Sequence, residues 1–191
     1  MSRLRVFFFS GDAGAGKSTA ALELAEQRVA VGFPRPVYLS TGDALRERSV
    51  LEPGASFGPD ELVARLVVEA LQRGDREGVD VVVDGYPRKP HQVQEGFALV
   101  FVHAPRHQPS VEWLTISVEE ALRRYKERGY RLSPRSGKIG PAGQRCPAGG
   151  EYSDDPTGVF RARREAHEPF LRETLEKLRE FYPPRVKEWN K

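Results

Sequence analysis

Gly11-Asp12-Ala13-Gly14-Ala15-Gly16-Lys17-Ser18 joins small, turn-forming residues to an amine and a hydroxyl, with Thr19 following. Glycines let successive amides converge on one centre, and a helix that starts there adds the partial positive charge of its unpaired N–H groups. Such a concavity suits phosphate oxygens: Lys17 reaches the outer phosphates, and Ser18 positions Mg²⁺. The flanking sequence supports this reading. Residues 6–9 are an apolar run predicting a buried strand, and residues 19–29 have the Ala-rich periodicity of a helix, so ATP is the expected ligand of residues 11–19. The competing reading is a tight turn that binds nothing.

A second set of residues offers the complementary half of a phosphoryl transfer. Asp84-Gly85-Tyr86-Pro87-Arg88 follows the apolar run 81–83, and Arg46 lies in 42–47, a segment predicting a helix. Two phosphate-bearing reactants repel, so guanidinium groups are needed to offset that charge and aim the attacking oxygen. Gly42 and Gly85 leave room for close approach. Taken singly, Arg46 and Arg88 read equally well as surface ion-pair partners, and Asp84 as a turn cap.

The elements that must position these groups alternate along the chain. Strands are expected at 6–9, 37–39, 81–84, 113–116 and 185–189, and helices at 19–29, 42–47, 59–72, 117–128 and, in two pieces interrupted near Pro169, 155–180. Ser117 and Glu120 predict a capping box. Residues 129–150 carry many glycines and prolines and few long aliphatic side chains, which predicts a surface excursion. The alternation argues for a three-layer α/β fold.

The chain has 191 residues, enough for one domain with a small insert. Thirty basic against 27 acidic residues leave +3, a balance that favours polyanions weakly and does not identify nucleic acid. Cys146 is the only cysteine, so neither an internal disulfide nor a cysteine-based zinc site is expected. With no leader or spanning segment evident, the expectation is a cytoplasmic monomer that binds neither nucleic acid nor membrane.

Three motifs in order resemble the adenylate kinase family of nucleoside monophosphate kinases: the loop at 11–18, Leu39-Ser40-Thr41-Gly42-Asp43-Ala44-Leu45-Arg46 with Pro59-Asp60-Glu61-Leu62, and Asp84-Gly85-Tyr86-Pro87-Arg88. The resemblance implies one P-loop kinase domain over 1–191, with a five-stranded parallel sheet flanked by helices. Its core would comprise 1–39, 73–128 and 154–191, its monophosphate-binding segment 40–72 and its lid 129–153. It implies that Arg46 and Arg88 hold the acceptor phosphate, that Asp84 organises Mg²⁺ and water, and that Thr41 and Gln92 favour adenine, giving ATP + AMP = 2 ADP. In the lid region it implies an adenine-side or phosphate contact for Arg124, phosphate contacts for Arg128 and Arg163, and anchoring roles for Asp154 and Asp155.

The chain departs from that family at several positions. Ser18 replaces a glycine, Ala13 a proline and Tyr152 an arginine, whose charge Arg131, Lys138 or Arg145 would supply. Lys89 and His91 differ beside Gln92, and Gly58 replaces an aliphatic residue. Only Asn190 and Lys191 follow Trp189, where the family has a further helix. Thr41 also reads as a helix cap, and Gln92 as a residue on a solvent-facing turn. Rival readings are a pyrimidine or deoxynucleoside monophosphate kinase, and an ATP-binding interaction protein with weak kinase activity.

Overall fold

The computed structural model describes residues 4–48, 58–127, 156–182 and 186–190. The first apolar run forms β1 (Leu4–Gly11), whose alternation feeds both sides of a sheet: Val6 and Phe8 enter one buried cluster, Phe7 and Phe9 the other. With β2 (Val37–Ser40), β3 (Val81–Asp84) and β4 (His107–Thr115) it makes the parallel order β2-β3-β1-β4, and β5 (Val186–Asn190) runs parallel to β4 at the far edge.

Six helices are described: α1 (Lys17–Ala30), α2 (Thr41–Glu47), α3 (Asp60–Glu77), α4 (His91–His103), α5 (Val118–Glu127) and α6 (Pro156–Phe181). On one face Val63, Leu66, Val67 and Leu71 of α3, Val93, Phe97 and Val100 of α4, and Leu171 and Leu178 of α6 pack against Val6, Val81 and Val83. Ala21 of α1, Ala121 and Leu122 of α5 and Phe160 of α6 cover Phe7, Phe9 and Val82 on the other. Burial on both sides is what an all-parallel sheet requires, and it explains the apolar runs in β1 and β3.

Several elements differ from the sequence expectation. Helix α4 was not expected, because Gly96 separates a mostly polar run, 91–95, from an apolar one, 97–102. Val93, Phe97 and Val100 nevertheless have helical spacing, and Gly96 is where the helix meets Tyr86: a Cβ there would stand 2.6 Å from Tyr86 Cε1. Strand β4 starts at His107 rather than at residue 113 and runs through Pro109. Pro109 pairs opposite Val6 of β1, while the β4–β5 ladder begins only at Val111, so the missing N–H interrupts no described β5 pairing.

Residues 156–181 form one helix, not two. Pro169 deprives only the carbonyl of Glu165 of its partner, on an exposed face, while His167, Leu171, Thr174 and Leu178 keep the buried stripe continuous across the break. The capping box is half formed. Ser117 Oγ accepts the Glu120 N–H at 3.1 Å, whereas the Glu120 carboxylate turns to Arg123 and Arg124. At α2 the cap is Ser40, which accepts from Asp43 N–H at 3.3 Å, and not Thr41.

Gly11 is the tightest point of the strand-to-loop passage. Its φ of +116° belongs to the region glycine favours, and a Cβ there would lie 2.0 Å from Leu114 O. Gly11→Ala is therefore expected to lower unfolding stability by about 2–5 kcal/mol, from backbone strain plus the shift forced on β4. Urea unfolding reads this directly, and a loss below about 1 kcal/mol would contradict the packing described.

Candidate functional site

The register sets Phe9 beside Asp84 and Gly11 beside Leu114, so the phosphate loop and the Asp84-Gly85 turn leave the sheet from the carboxyl ends of neighbouring strands. The connection from β1 leads outward to β2 and back to β3, whereas β4 adds on the opposite side of β1. This divergence opens the crevice in which open α/β sheets hold ligands.

On the loop side, Gly14 and Gly16 have φ of +83° and +89°, and α1 begins at Lys17 directly after them. Lys17 Nζ donates to Gly11 O (3.0 Å) and Asp12 O (2.6 Å), which folds its side chain back across the loop. Ser18 Oγ donates to Asp84 Oδ2 at 2.5 Å, and Tyr38 OH lies 3.4 Å from the same oxygen. Ala15 is buried under the loop, and Thr19 is exposed on the first turn of α1. Asp12 does more than the sequence suggests: its Oδ2 accepts Ile116 N–H (3.0 Å) and faces Arg164 Nη2 (3.2 Å).

Across the crevice, Gly85 N–H donates to Phe9 O at 2.8 Å. Thr41 is buried, its Oγ1 3.1 Å from both Asp84 O and Gly85 O, so it braces the turn from below. Arg88 folds over Gly85, where a Cβ would stand 2.9 Å from Arg88 Nη2. Burial draws the Arg88 guanidinium below its usual pKa, the Asp84 charge opposes that shift, and the charge of Arg46 adds to it. Two arginines thus share one electrostatic neighbourhood. Arg46 pairs with Asp43, while its buried Nε has no hydrogen-bond partner among the described residues.

Gln92 is not on a solvent-facing turn. It is buried near the start of α4, its Oε1 accepting Arg88 N–H (2.9 Å) and Lys89 N–H (3.2 Å) while its Nε2 donates to Asp60 Oδ1 (2.9 Å). Lys89 Nζ also holds Asp60, at 2.9 and 2.8 Å, and His91 Nε2 is 3.5 Å away. Burial works to raise the pKa of Asp60, but Lys89, His91 and Gln92 together bring it below the usual value. The departures at residues 89 and 91 therefore tie α3 to the Arg88 turn. Leu45 fills the space a side chain at Gly58 would need, its Cδ1 2.7 Å from that Cβ position.

Arg124 lies on α5, its Nε 2.7 Å from Glu120 Oε1. Hydrogen bonds from Arg123 and Arg124 hold the Glu120 carboxyl at about 2. Arg163 lies on α6. Arg128, Asp154, Asp155 and the expected lid fall outside the described residues, as do Cys146, Tyr152 and the charges expected to compensate for it. Tyr38 and Arg164 were not singled out from the sequence, and Asp60 entered only as part of the run Pro59–Leu62, since each acquires its role from a partner far along the chain. The one local clue was an acidic residue inside a phosphate loop, which calls for a nearby cation.

Among the described residues no three His, Cys, Asp or Glu side chains cluster as a metal site, and no helix is long and apolar enough to cross a membrane. The Ser18 hydroxyl and Asp84 carboxylate fit Mg²⁺, a hard cation that takes few protein oxygens and fills its shell with water and phosphate.

Fold and site together define a parallel α/β protein with a P-loop, and the comparisons narrow this further. The chain is 29% identical over 142 residues to the adenylate kinase of Pyrococcus furiosus, covering 68% of this chain and 58% of that protein. It is 35% identical over 106 residues to that of Deinococcus radiodurans (49% of each), and 30% identical over 142 residues to that of Thermococcus kodakarensis (68% and 57%). The chain is thus similar in sequence to several adenylate kinases. It spans about half to three fifths of the length of these relatives. No protein-family model matches. A chain in the structure of the Pnkp1/Rnl/Hen1 RNA repair complex is similar in fold alone, with a TM-score of 0.55 and 16% identity over 93% of this chain and 47% of that one.

Proposed function

We propose that this chain is a nucleoside monophosphate kinase that transfers the γ-phosphoryl group of ATP to a monophosphate, with AMP the favoured acceptor. One observation carries the reading: Arg88 lies against Gly85, within the electrostatic reach of both Asp84 and Arg46, beside the strand end from which the Lys17 loop departs. Two anionic reactants could be held there with cations between them. A bound phosphate would offset the repulsion between the two guanidinium groups, so the arginine pair supports an acceptor phosphate as its ligand.

The chemistry needs no shifted side-chain base. An acceptor phosphate oxygen is already anionic at neutral pH; it forms a bond to the γ-phosphorus as the bond from that phosphorus to the β-bridging oxygen breaks, leaving ADP. Lys17 and the loop amides would hold the donor, Arg46 and Arg88 the acceptor, and Arg128 and Arg163 would stabilise the migrating charge, with Arg124 beside ATP. Mg²⁺, held through Ser18 and Asp84, would offset charge on the β and γ oxygens. Residues 129–153 would act as a lid excluding competing water, anchored by Asp154 and Asp155, and 40–72 as the monophosphate-binding segment.

Preference for AMP is tested by the kcat/KM for ADP formation with saturating Mg²⁺-ATP across AMP, dAMP, CMP, UMP, GMP and dTMP. AMP in first place supports the reading; a larger value for CMP, UMP or dTMP selects the pyrimidine or deoxynucleoside alternative. Gln92 sharpens the test. If its amide leaves Asp60 to read adenine, Gln92→Ala lowers kcat/KM for AMP by about 10–100-fold and for CMP by much less. An equal loss for both makes Gln92 a brace for the Arg88 turn.

A further inference from the structure

A carboxylate inside a phosphate loop works against the loop's own ligand, because a charge a few ångströms from a triphosphate repels it. Asp12 is such a group, and the fold places Arg164 of α6 against it. Arg164 Nη2 is 3.2 Å from Asp12 Oδ2, and the same guanidinium donates to Ile116 O. It also stands 3.5 Å from Ala13 O and 3.4 Å from Ser117 O. Only 12% of the Arg164 side chain and 22% of that of Asp12 are exposed. The Asp12 oxygen that faces Arg164 also accepts Ile116 N–H at 3.0 Å. One cation thus joins the phosphate loop, the turn between β4 and α5, and α6.

We infer that Arg164 is a positioning residue for the triphosphate site, neutralising Asp12 and fixing the entry of the loop so that donor affinity depends on the pair. The inference rests on the ATP-binding reading above. It assigns Arg164 a role separate from that of its neighbour Arg163, since Arg164 acts on the loop through Asp12. It also explains how an acidic residue is tolerated in a loop that holds a polyanion. A salt bridge that only stabilised the fold would show in unfolding and leave the donor site unaffected once the protein had folded.

The test is calorimetric titration with Mg²⁺-ATP, which requires no turnover, on the unsubstituted chain, Arg164→Ala and the double variant Asp12→Asn/Arg164→Ala, each with its thermal unfolding recorded. Arg164→Ala leaves the Asp12 charge exposed to the triphosphate and is expected to weaken binding about tenfold. Asparagine can still accept the Ile116 N–H, so the double variant is expected to return to within about threefold of the original affinity. Added salt narrows the gap between Arg164→Ala and the unsubstituted chain. Should Arg164→Ala fail to fold, Arg164→Gln takes its place in both proteins. Equal affinity in the single variant, or no recovery in the double, overturns the inference and leaves the kinase reading intact. Absence of ATP binding by the unsubstituted chain overturns the kinase reading, and the inference with it.

Discussion

Replacing Lys17 with alanine is expected to cut kcat/KM for phosphoryl transfer by about 10²–10³-fold, the usual scale for losing one preorganised donor to a migrating charge. The geometry gives this expectation a second half. Lys17 Nζ rests on Gly11 O and Asp12 O, carbonyls of the loop it belongs to, and those oxygens can turn to water when the amine is gone. Unfolding stability is therefore expected to change by only about 1 kcal/mol. Lys17→Arg is not expected to rescue activity, since a planar fork does not replace a compact ammonium at the end of a tight loop. Steady-state kinetics beside urea unfolding separates the two effects. Activity within threefold of the unsubstituted enzyme would remove Lys17 from the transfer site.

Arg88→Ala has the other large effect, and its signature differs in which substrate is affected. Its guanidinium is drawn down in pKa by burial and by Arg46 while Asp84 opposes, so the folded chain holds a buried cation beside both a carboxylate and a second cation. Loss of that cation is expected to lower kcat/KM for the acceptor by about 10²–10³-fold with the KM for ATP little changed. Stability is expected to change far less than activity, because loss of the repulsion from Arg46 accompanies loss of the attraction to Asp84. An arginine that merely braced the turn would do the reverse, with stability falling and kinetics preserved. Arg88→Lys, which keeps the charge without the fork, is expected to recover part of the activity.

How much of this was legible in the sequence depends on how far apart the determining partners lie. The passage from β1 through the loop into α1 could be read because its constraints are local: an apolar run, glycines with φ above +80°, then a helix. The helix expected over 59–72 continues to Glu77 because Gly74 serves packing, a Cβ there meeting Val81 Cγ2 at 2.2 Å, a contact made only once β3 folds back against the helix. The same holds for α4, where Gly96 makes room for Tyr86, and for Pro169, whose local signal to break the helix loses to the buried stripe on either side.

In the site, residue types pointed to phosphate chemistry, but the pairings are long-range. Gln92 finds Asp60 across 32 positions, Ser18 finds Asp84 across 66, and Arg164 finds Asp12 across 152. Thr41 was expected either to cap a helix or to favour adenine. It does not cap the helix, because Ser40 supplies that cap, and its buried hydroxyl finds its acceptors in the Asp84-Gly85 turn.

The most direct test of a phosphoryl transfer between two nucleotides follows the transferred group itself. ATP labelled in its γ-phosphate, mixed with AMP, Mg²⁺ and the unsubstituted chain, is expected to pass its label into the β-phosphate of newly formed ADP. One further ADP appears for each ATP consumed, and inorganic phosphate stays near background. Label released as inorganic phosphate at the same rate with and without AMP, or no consumption of ATP with any monophosphate, would contradict the account.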